Sequence, residues 1–584
     1  MIRPICVVIF IIIFRLFNCW IIRTFYVPDE YWQALEPAYQ NIYGYGELTW
    51  EWKHGLSFSG IDTKENMILG PKIMMTIFGI MCDIIFYIWC QKLNYINKEL
   101  SGKWIFFAYI SNWFIFYCVP RSLANTLEMY FYILIIYFYP HWSISLNYKI
   151  NNRFIKDLVQ NSPYIFLIFS TIFYRPTSVP LIILLVFHYV NLKYRFNFII
   201  IVIINIILSC LLHLYVDYIF YKSWQLTWYN FIKFNYFHNI SILYGTQPWY
   251  WYMLIGIPVI LGLHVLPVMY EFFYSKLTVI STLILSILIL SIFPHKEFRF
   301  LLPIIPFFSI LAGNFYAKLD NGKIAFVKKL FPDHWKIIKN VYIGLVIIIH
   351  LNMAIYFSLI HQRGTIDILK YIYKQSNLQN TSTLLLMPCY STPHYSHLHK
   401  HINIRMLSCE PKIKNDKKEN SHKTSIILED EYAMFLNNPD EFLQNIMEKA
   451  ISKNLTYTHI CFYSNVYPKL ESSNYFKSHM KYTYCKEFFH THFPYDNMSR
   501  YIICLCVTNS MDIPNPSFWI TYLLIIILNI DYKVQKPPDA ETSPSPDFLK
   551  TSTTTTYTKS LYNTFYIKKK LWTQLAENIQ ISHQ

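Results

Sequence analysis

With 584 residues, 54% of them hydrophobic and only 15% charged, the chain is too apolar for an ordinary soluble protein and long enough for more than one domain. Its formal charge of +16 comes from basic residues scattered through short segments between apolar runs. That distribution excludes a contiguous nucleic-acid face and suits determinants of membrane topology.

Ile5 to Ile22 is the first apolar run, preceded by Arg3 and interrupted by Arg15. Cys19, Trp20 and Arg23 supply no small-x-small cleavage site, so the run is expected to be an uncleaved span beginning in the cytosol. The stretch Phe25 to Trp52, FYVPDEYWQALEPAYQNIYGYGELTWEW, follows at its mouth. Asp29 and Glu30 come directly after Pro28 there. Such a pair suits the first turn of a helix, where negative charge complements the macrodipole, and it equally suits a catalytic base.

Further apolar runs cover Pro71 to Cys90, Trp104 to Val119, Leu123 to Tyr139, Pro163 to Tyr174, Val179 to Val190 and Phe196 to Phe220. Trp249 to Tyr270, Leu277 to Phe293, Phe300 to Tyr316 and Val341 to Ile360 complete about eleven candidate spans. The two runs flanking Arg175 and Pro176 are short and read as a broken pair. Counting from a cytosolic start, Lys92, Lys98, Lys103, Lys149, Arg153, Lys156, Lys193, Arg195 and the linker Lys318 to Lys336 fall on the cytosolic side. The opposite side collects the first loop (23–70), Arg121 with Asn125 and Glu128, the Arg175 turn, the aromatic loop Trp224 to Trp251, and His295 to Arg299.

Residues 361–510 are expected on that same side as a smaller mixed α/β domain, with apolar stretches at Thr383 to Met387 and His459 to Tyr463. Four N-x-S/T sequons, at Asn239, Asn380, Asn454 and Asn497, all fall there and favour a luminal assignment. Cys389, Cys409, Cys461, Cys485, Cys504 and Cys506 form neither CxxC pairs nor zinc spacings, and disulfides and free thiols both remain open for them. Residues 511–584 read as a divergent tail, with a short apolar stretch at 518–530 and a Pro/Ser/Thr-rich segment without core-forming capacity. The expected architecture is therefore a mainly α, polytopic bundle over residues 1–360, a luminal C-terminal domain and a tail.

Several constellations carry chemistry. His295, Lys296 and Arg299 in SIFPHKEFRFLLP suit a phosphate, although interfacial snorkelling also accounts for basic residues at span ends. Arg121, Asn125 and Glu128 have helical spacing and line a polar cavity or cap a span. Arg175, Pro176 and Thr177 break an apolar stretch, as backbone facing a cavity does. Asn230, Lys233, Asn235, Tyr244, Trp249, Trp251 and Tyr252 combine polar groups with aromatic platforms for sugar faces, and an aromatic belt accounts for most of the same tryptophans. His394, His397, His399 and His401 have no carboxylate or thiolate pair to complete a metal site, and no metal is expected. No Walker loop, dinucleotide turn or nucleophile elbow is present in the sequence.

Together VPDEYWQ, YGYGELTWEW, RSLANTLEMY, YRPTSV, NFIKFN, LYGTQPWYWY, HKEFRF, HQRGT, MPCYSTPHYSHLH and FFHTHFP resemble glycosyltransferase family 22, the dolichyl-phosphate-mannose-dependent mannosyltransferases with the GT-C fold, and most closely its GPI-assembly branch. The resemblance runs from about Phe25 to Pro494, with the motifs in the family's order. It implies inverting transfer of a third, α1,2-linked mannose to the GPI-anchor precursor in the endoplasmic reticulum lumen, without a cofactor. It makes Asp29 the base and Glu30 its partner or an acceptor-positioning group, and gives the donor phosphate to His295, Lys296 and Arg299. Trp50, Glu51, Trp52, Arg121, Asn125, Arg175, Lys233, Asn235, Tyr244, Trp249 and Trp251 are the expected substrate contacts. Expected partners are the lipid-linked donor, the GPI-precursor acceptor and the membrane, with no nucleic acid. The chain departs from the family at Lys53 to Gly70, which is short and polar, and after about Met511. Sister enzymes adding the fourth GPI mannose or building the N-glycan precursor carry His where this chain has Val27. A secondary transporter would show repeated halves, and none is seen.

Overall fold

The computed structural model describes residues 4–46, 64–96, 101–141, 152–192, 195–221, 223–233, 245–274, 277–324, 334–378, 380–409, 412–414, 425–427, 430–494 and 498–507. The bundle runs through α1 (Pro4–Ile21), α2 (Glu36–Tyr43), α3 (Lys64–Ile96), α4 (Gly102–Ile110), α5 (Trp113–Cys118), α6 (Ala124–Phe138) and α7 (Arg153–Tyr174). It continues with α8 (Ile182–Val190), α9 (Arg195–Tyr221), α10 (Thr227–Ile232), α11 (Ile257–Leu261), α12 (Val265–Glu271), α13 (Leu277–Ile292) and α14 (Ile305–Asp320), and closes with the Trp335–Leu359 helix.

Among the described residues six helices are long and apolar enough to cross a membrane, and three shorter apolar helices accompany them. The chain is a multi-pass membrane protein. About eleven spans were expected from apolar runs alone; the lower number of full-length helices has a local cause. The run Trp104 to Val119 is broken at Asn112, whose side-chain oxygen caps α5 by accepting from the backbone N–H of Phe114 and Ile115. The pair flanking Arg175 is broken as the sequence suggests, α7 ending at Tyr174 and a 3-10 turn over Pro176–Leu181 leading into α8.

Close packing depends on small residues at two contacts. A Cβ on Gly102 would lie 1.8 Å from the Cys90 carbonyl oxygen, and one on Gly313 would lie 2.5 Å from the Ile105 Cα, so α3, α4 and α14 meet backbone to backbone. A buried ion pair ties α1 to α3 inside the bundle. Arg15 of α1, fully buried, donates from Nε to Asp83 of α3 at 2.6 Å, and Tyr109 of α4 donates to the same carboxylate at 2.8 Å.

Beyond the Trp335–Leu359 helix, the Gly364–Gln375 helix leads into a five-stranded sheet. Its strands are β1 (Ser382–Leu386), β2 (Asn403–Met406), β5 (His459–Tyr463), β6 (Tyr482–Phe489) and β7 (Tyr501–Val507); β3 (Lys412–Lys414) and β4 (Ser425–Ile427) form a separate pair. The order is β2-β1-β5-β7-β6, with β2, β1 and β5 parallel and β7 and β6 antiparallel. The apolar stretches expected near Thr383 and His459 are the central strands β1 and β5, every residue of which is buried. Alternation along β1 sends Leu384 and Leu386 to one face, against Tyr432, Phe435 and Leu443, and Leu385 to the other, against Ile368, Leu369 and Ile372. Cys389 is bonded to Cys409 and Cys485 to Cys506, whereas Cys461 and Cys504 are free and face each other in register across β5 and β7. Residues 508–584 lie outside the described residues, and the short apolar stretch 518–530 with them.

Candidate active site

The segment after α1 is fixed from both sides. The Arg23 N–H donates to the Ser358 carbonyl at 2.9 Å and the Thr24 hydroxyl to the Phe357 carbonyl at 2.7 Å, which ties the chain to the end of the Trp335–Leu359 helix. Pro28 then starts a helical turn, its carbonyl accepting from Tyr31 and Trp32 N–H at 3.0 and 2.9 Å. Asp29 and Glu30 thus do occupy a helix start, and the two readings of the pair are compatible. Phe25, Tyr31, Trp32 and Leu35 pack on Ile366 and Met406 of the C-terminal domain, and the Trp32 indole donates to the Thr392 carbonyl at 2.9 Å. Glu36 completes the clamp, accepting from the N–H groups of His394 and Ser396 at 2.7 and 3.2 Å and from the Ser396 hydroxyl at 2.5 Å.

The two adjacent carboxylates take different partners. Glu30 is 1% exposed and pairs with Arg121 at 2.6 Å. Arg121, wholly buried, also donates to the Thr24 carbonyl, the Thr24 hydroxyl and the Tyr117 carbonyl at 2.9, 3.0 and 3.0 Å, and lies over the Tyr117 ring. Each has exchanged water for the other, and together they brace the loop.

Asp29 instead stays partly exposed and accepts from Arg299, 270 residues away in sequence. Glu297 has extended backbone angles and leads into the 3-10 turn Phe298–Ile304, which carries Arg299. Arg299 donates to both oxygens of Glu297 from Nε and Nη2, each at 2.7 Å, and the His295 ring meets Glu297 at 2.8 Å. Lys296 is 6% exposed and its ammonium donates to the carbonyls of Phe293 and Gln247 at 2.5 and 3.2 Å. Burial lowers the Lys296 pKa from its ordinary value. Burial alone would raise the Glu297 carboxyl, but Arg299 and His295 outweigh it and hold that group well below the usual carboxylate range. Glu297, which the sequence reading did not assign to the site, joins His295 and Arg299, two residues to either side of it.

A third arginine–carboxylate pair borders this cluster. Arg175 lies 3.2 Å from Glu128, which also accepts from the Ser178 hydroxyl at 2.5 Å and from Asn125 at 3.3 Å. The Phe300 ring lies between the Arg175 and Arg299 guanidiniums, 5.9 and 5.2 Å from its centroid. Asn125 is 1% exposed and its amide nitrogen orients Glu128. Trp251 is buried against Phe298, with ring centroids 4.8 Å apart, and Trp249 is 72% exposed, as an interfacial belt residue is. Lys233 is exposed at the end of α10. Trp50, Glu51, Trp52, Asn235 and Tyr244 lie outside the described residues.

The four histidines of the 394–401 stretch do not converge. His394 is wholly buried, its ring against Trp32 and Tyr395, and burial lowers its pKa to about 3. His397 lies edge-on to Tyr31, His399 to Tyr43, and His401 beside Tyr45. Among the described residues no group of three His, Cys, Asp or Glu side chains is placed to hold a metal ion.

What this arrangement can do is hold an anionic leaving group beside a carboxylate. The sequence profile of the Alg9-like mannosyltransferase family matches residues 6–58 and 56–399, and the break between the two segments falls in the short stretch after Lys53. The GPI alpha-1,2-mannosyltransferase 3 of Bos taurus is 31% identical over 531 residues, covering 85% of this chain and 88% of that protein. The protein of the same name in Xenopus laevis is 32% identical over 510 residues, covering 82% and 86%. A solved structure, ArnT from Cupriavidus metallidurans bound to undecaprenyl phosphate, is similar with a TM-score of 0.46 at 8% identity, covering 88% of this chain and 98% of that one.

Proposed function

Because this chain belongs to the Alg9-like mannosyltransferase family, we propose that it transfers the third mannose, in α1,2 linkage, from dolichyl-phosphate-mannose to the GPI-anchor precursor. The site faces the endoplasmic reticulum lumen, and the transfer inverts the anomeric configuration. The observation that carries the mechanism is the meeting of Asp29 and Arg299. An inverting transfer needs one base for the acceptor hydroxyl and one cationic group for the departing phosphate, and no covalent intermediate.

Asp29 is the base. The acceptor oxygen forms its bond to the mannose C1 as Asp29 takes the hydroxyl proton. The bond from C1 to the phosphate oxygen breaks, and its electron pair leaves with dolichyl phosphate. Arg299, with His295 beside it, stabilises the charge that the phosphate gains. Glu297 positions Arg299, and the Glu30–Arg121 pair with Glu36 fixes the loop that carries Asp29. Arg175 and Glu128, across Phe300, border the sugar. The family relationship supports the substrate class, and the Cys389–Cys409 and Cys485–Cys506 disulfides suit an oxidising lumen.

Cells lacking the third GPI mannose and supplied with this chain should regain GPI-anchored proteins at the surface, and cells supplied with the Asp29→Asn form should not. Surface recovery with Asp29→Asn would remove the base from the mechanism. No recovery with the unaltered, stably expressed chain would remove the function.

A further inference from the structure

We propose that Arg299 holds Asp29 in an inactive ion pair until the donor phosphate takes its place, so that the base is released only in the donor-bound enzyme. The inference rests on the reading of Asp29 and Arg299 given above and adds the order in which they act.

Arg299 is not a free cation. Two of its nitrogens serve Glu297 and a third serves Asp29, so one positive charge balances two carboxylates. Lys296 is buried and its ammonium is tied to two carbonyls. A phosphodiester entering beside His295 therefore meets a motif whose principal cation is already engaged, and its own negative charge adds to that of the two carboxylates. Something must give way. Glu297 is held by two N–H groups of Arg299 and by the His295 ring, and it is three bonds along the chain from rigid neighbours in the 3-10 turn Phe298–Ile304. Asp29 is held by a single N–H and remains partly exposed. The exchange falls on Asp29.

The exchange also sets its reactivity. A carboxylate oxygen that accepts from a guanidinium N–H is occupied; released from that partner, it is open to meet the acceptor hydroxyl. As transfer proceeds, the phosphate gains one negative charge and Asp29 loses one by taking the hydroxyl proton. Arg299 thus moves in the direction in which the negative charge moves. Removing the base should consequently strengthen donor binding, whereas a base that merely contacts the donor sugar would weaken it when removed.

The test is equilibrium binding of dolichyl-phosphate-mannose to the full-length chain purified in detergent. The Asp29→Asn form, which keeps the shape but not the charge, should bind the donor at least about tenfold tighter than the unaltered chain, on the scale of one lost like-charge contact. Equal or weaker binding overturns the proposal. An unaltered chain that binds no dolichyl-phosphate-mannose overturns the assigned function as well, so the two failures are distinguishable. Should Asp29→Asn not fold, the unaltered chain carries the test: labelling of Asp29 by a water-soluble carbodiimide, read by peptide mass spectrometry, should accelerate when dolichyl phosphate is added. Unchanged or slower labelling overturns the proposal.

Discussion

Replacing Glu30 separates a bracing carboxylate from a reacting one. In Glu30→Ala the Arg121 guanidinium keeps its bonds to Thr24 and Tyr117 but loses its counter-ion in a site from which water is excluded. Leaving one partner of a buried pair uncompensated costs about 3–5 kcal/mol, a large share of the ~5–15 kcal/mol that holds an ordinary domain folded. Replacing both partners, as Glu30→Met with Arg121→Met, removes the stranded charge, and the double form should be destabilised by roughly 2 kcal/mol less than the sum of the single forms. The assay is the temperature at which detergent-solubilised protein ceases to run as a monodisperse species, used as a ranking because a protein of several segments does not unfold in one step. Glu30→Ala should rank lowest and the double form above it. A Glu30→Ala form as heat-stable as the unaltered chain but inactive would refute the bracing role and return Glu30 to the substrate.

Glu36→Gln should loosen the first loop from the C-terminal domain by weakening three hydrogen bonds to one carboxylate, each of the ~1.5–3 kcal/mol class; activity should fall with little change in expression, and proteolytic cleavage near residues 36–46 should quicken. Cys389→Ser with Cys409→Ser opens a loop between cysteines 20 residues apart, a loss of about 3 kcal/mol by loop-closure entropy; heat stability measured without reductant should fall, and reductant should affect the double serine form less than the unaltered chain. Asn454 is exposed at the end of a helix in the C-terminal domain, with an exposed Thr456 two residues on. A luminal position predicts an endoglycosidase-sensitive mass shift that Asn454→Gln abolishes, and a chain without any sugar would place this domain on the cytosolic side.

What the sequence made legible was what repeats locally. Apolar runs, the central strands and the Pro28-Asp29-Glu30 helix start follow from patterns within about twenty residues. The pairings were not legible, because each joins distant segments: Asp29 to Arg299 across 270 positions, Glu30 to Arg121 across 91, and Glu36 to His394 across 358. Two neighbouring carboxylates look alike in sequence, and only burial assigns one to bracing and leaves the other at the surface of the site. The HKEFR motif reads as a cluster of cations, and the structure places Glu297 at its centre, between His295 and Arg299. Apolar runs do not show where one helix ends and the next begins, for a related reason. A polar residue inside an apolar run does not reveal whether it breaks the helix, as Asn112 does, or is buried within it, as Asp83 is.

The most direct measurement is transfer in vitro. Membranes containing this chain as their sole enzyme of the family should move mannose from dolichyl-phosphate-mannose to a GPI precursor bearing two mannoses, giving a product from which an α1,2-specific mannosidase removes one residue. Asp29→Asn membranes should give none. Transfer that persists with Asp29→Asn, or a product resistant to that mannosidase, would contradict the account.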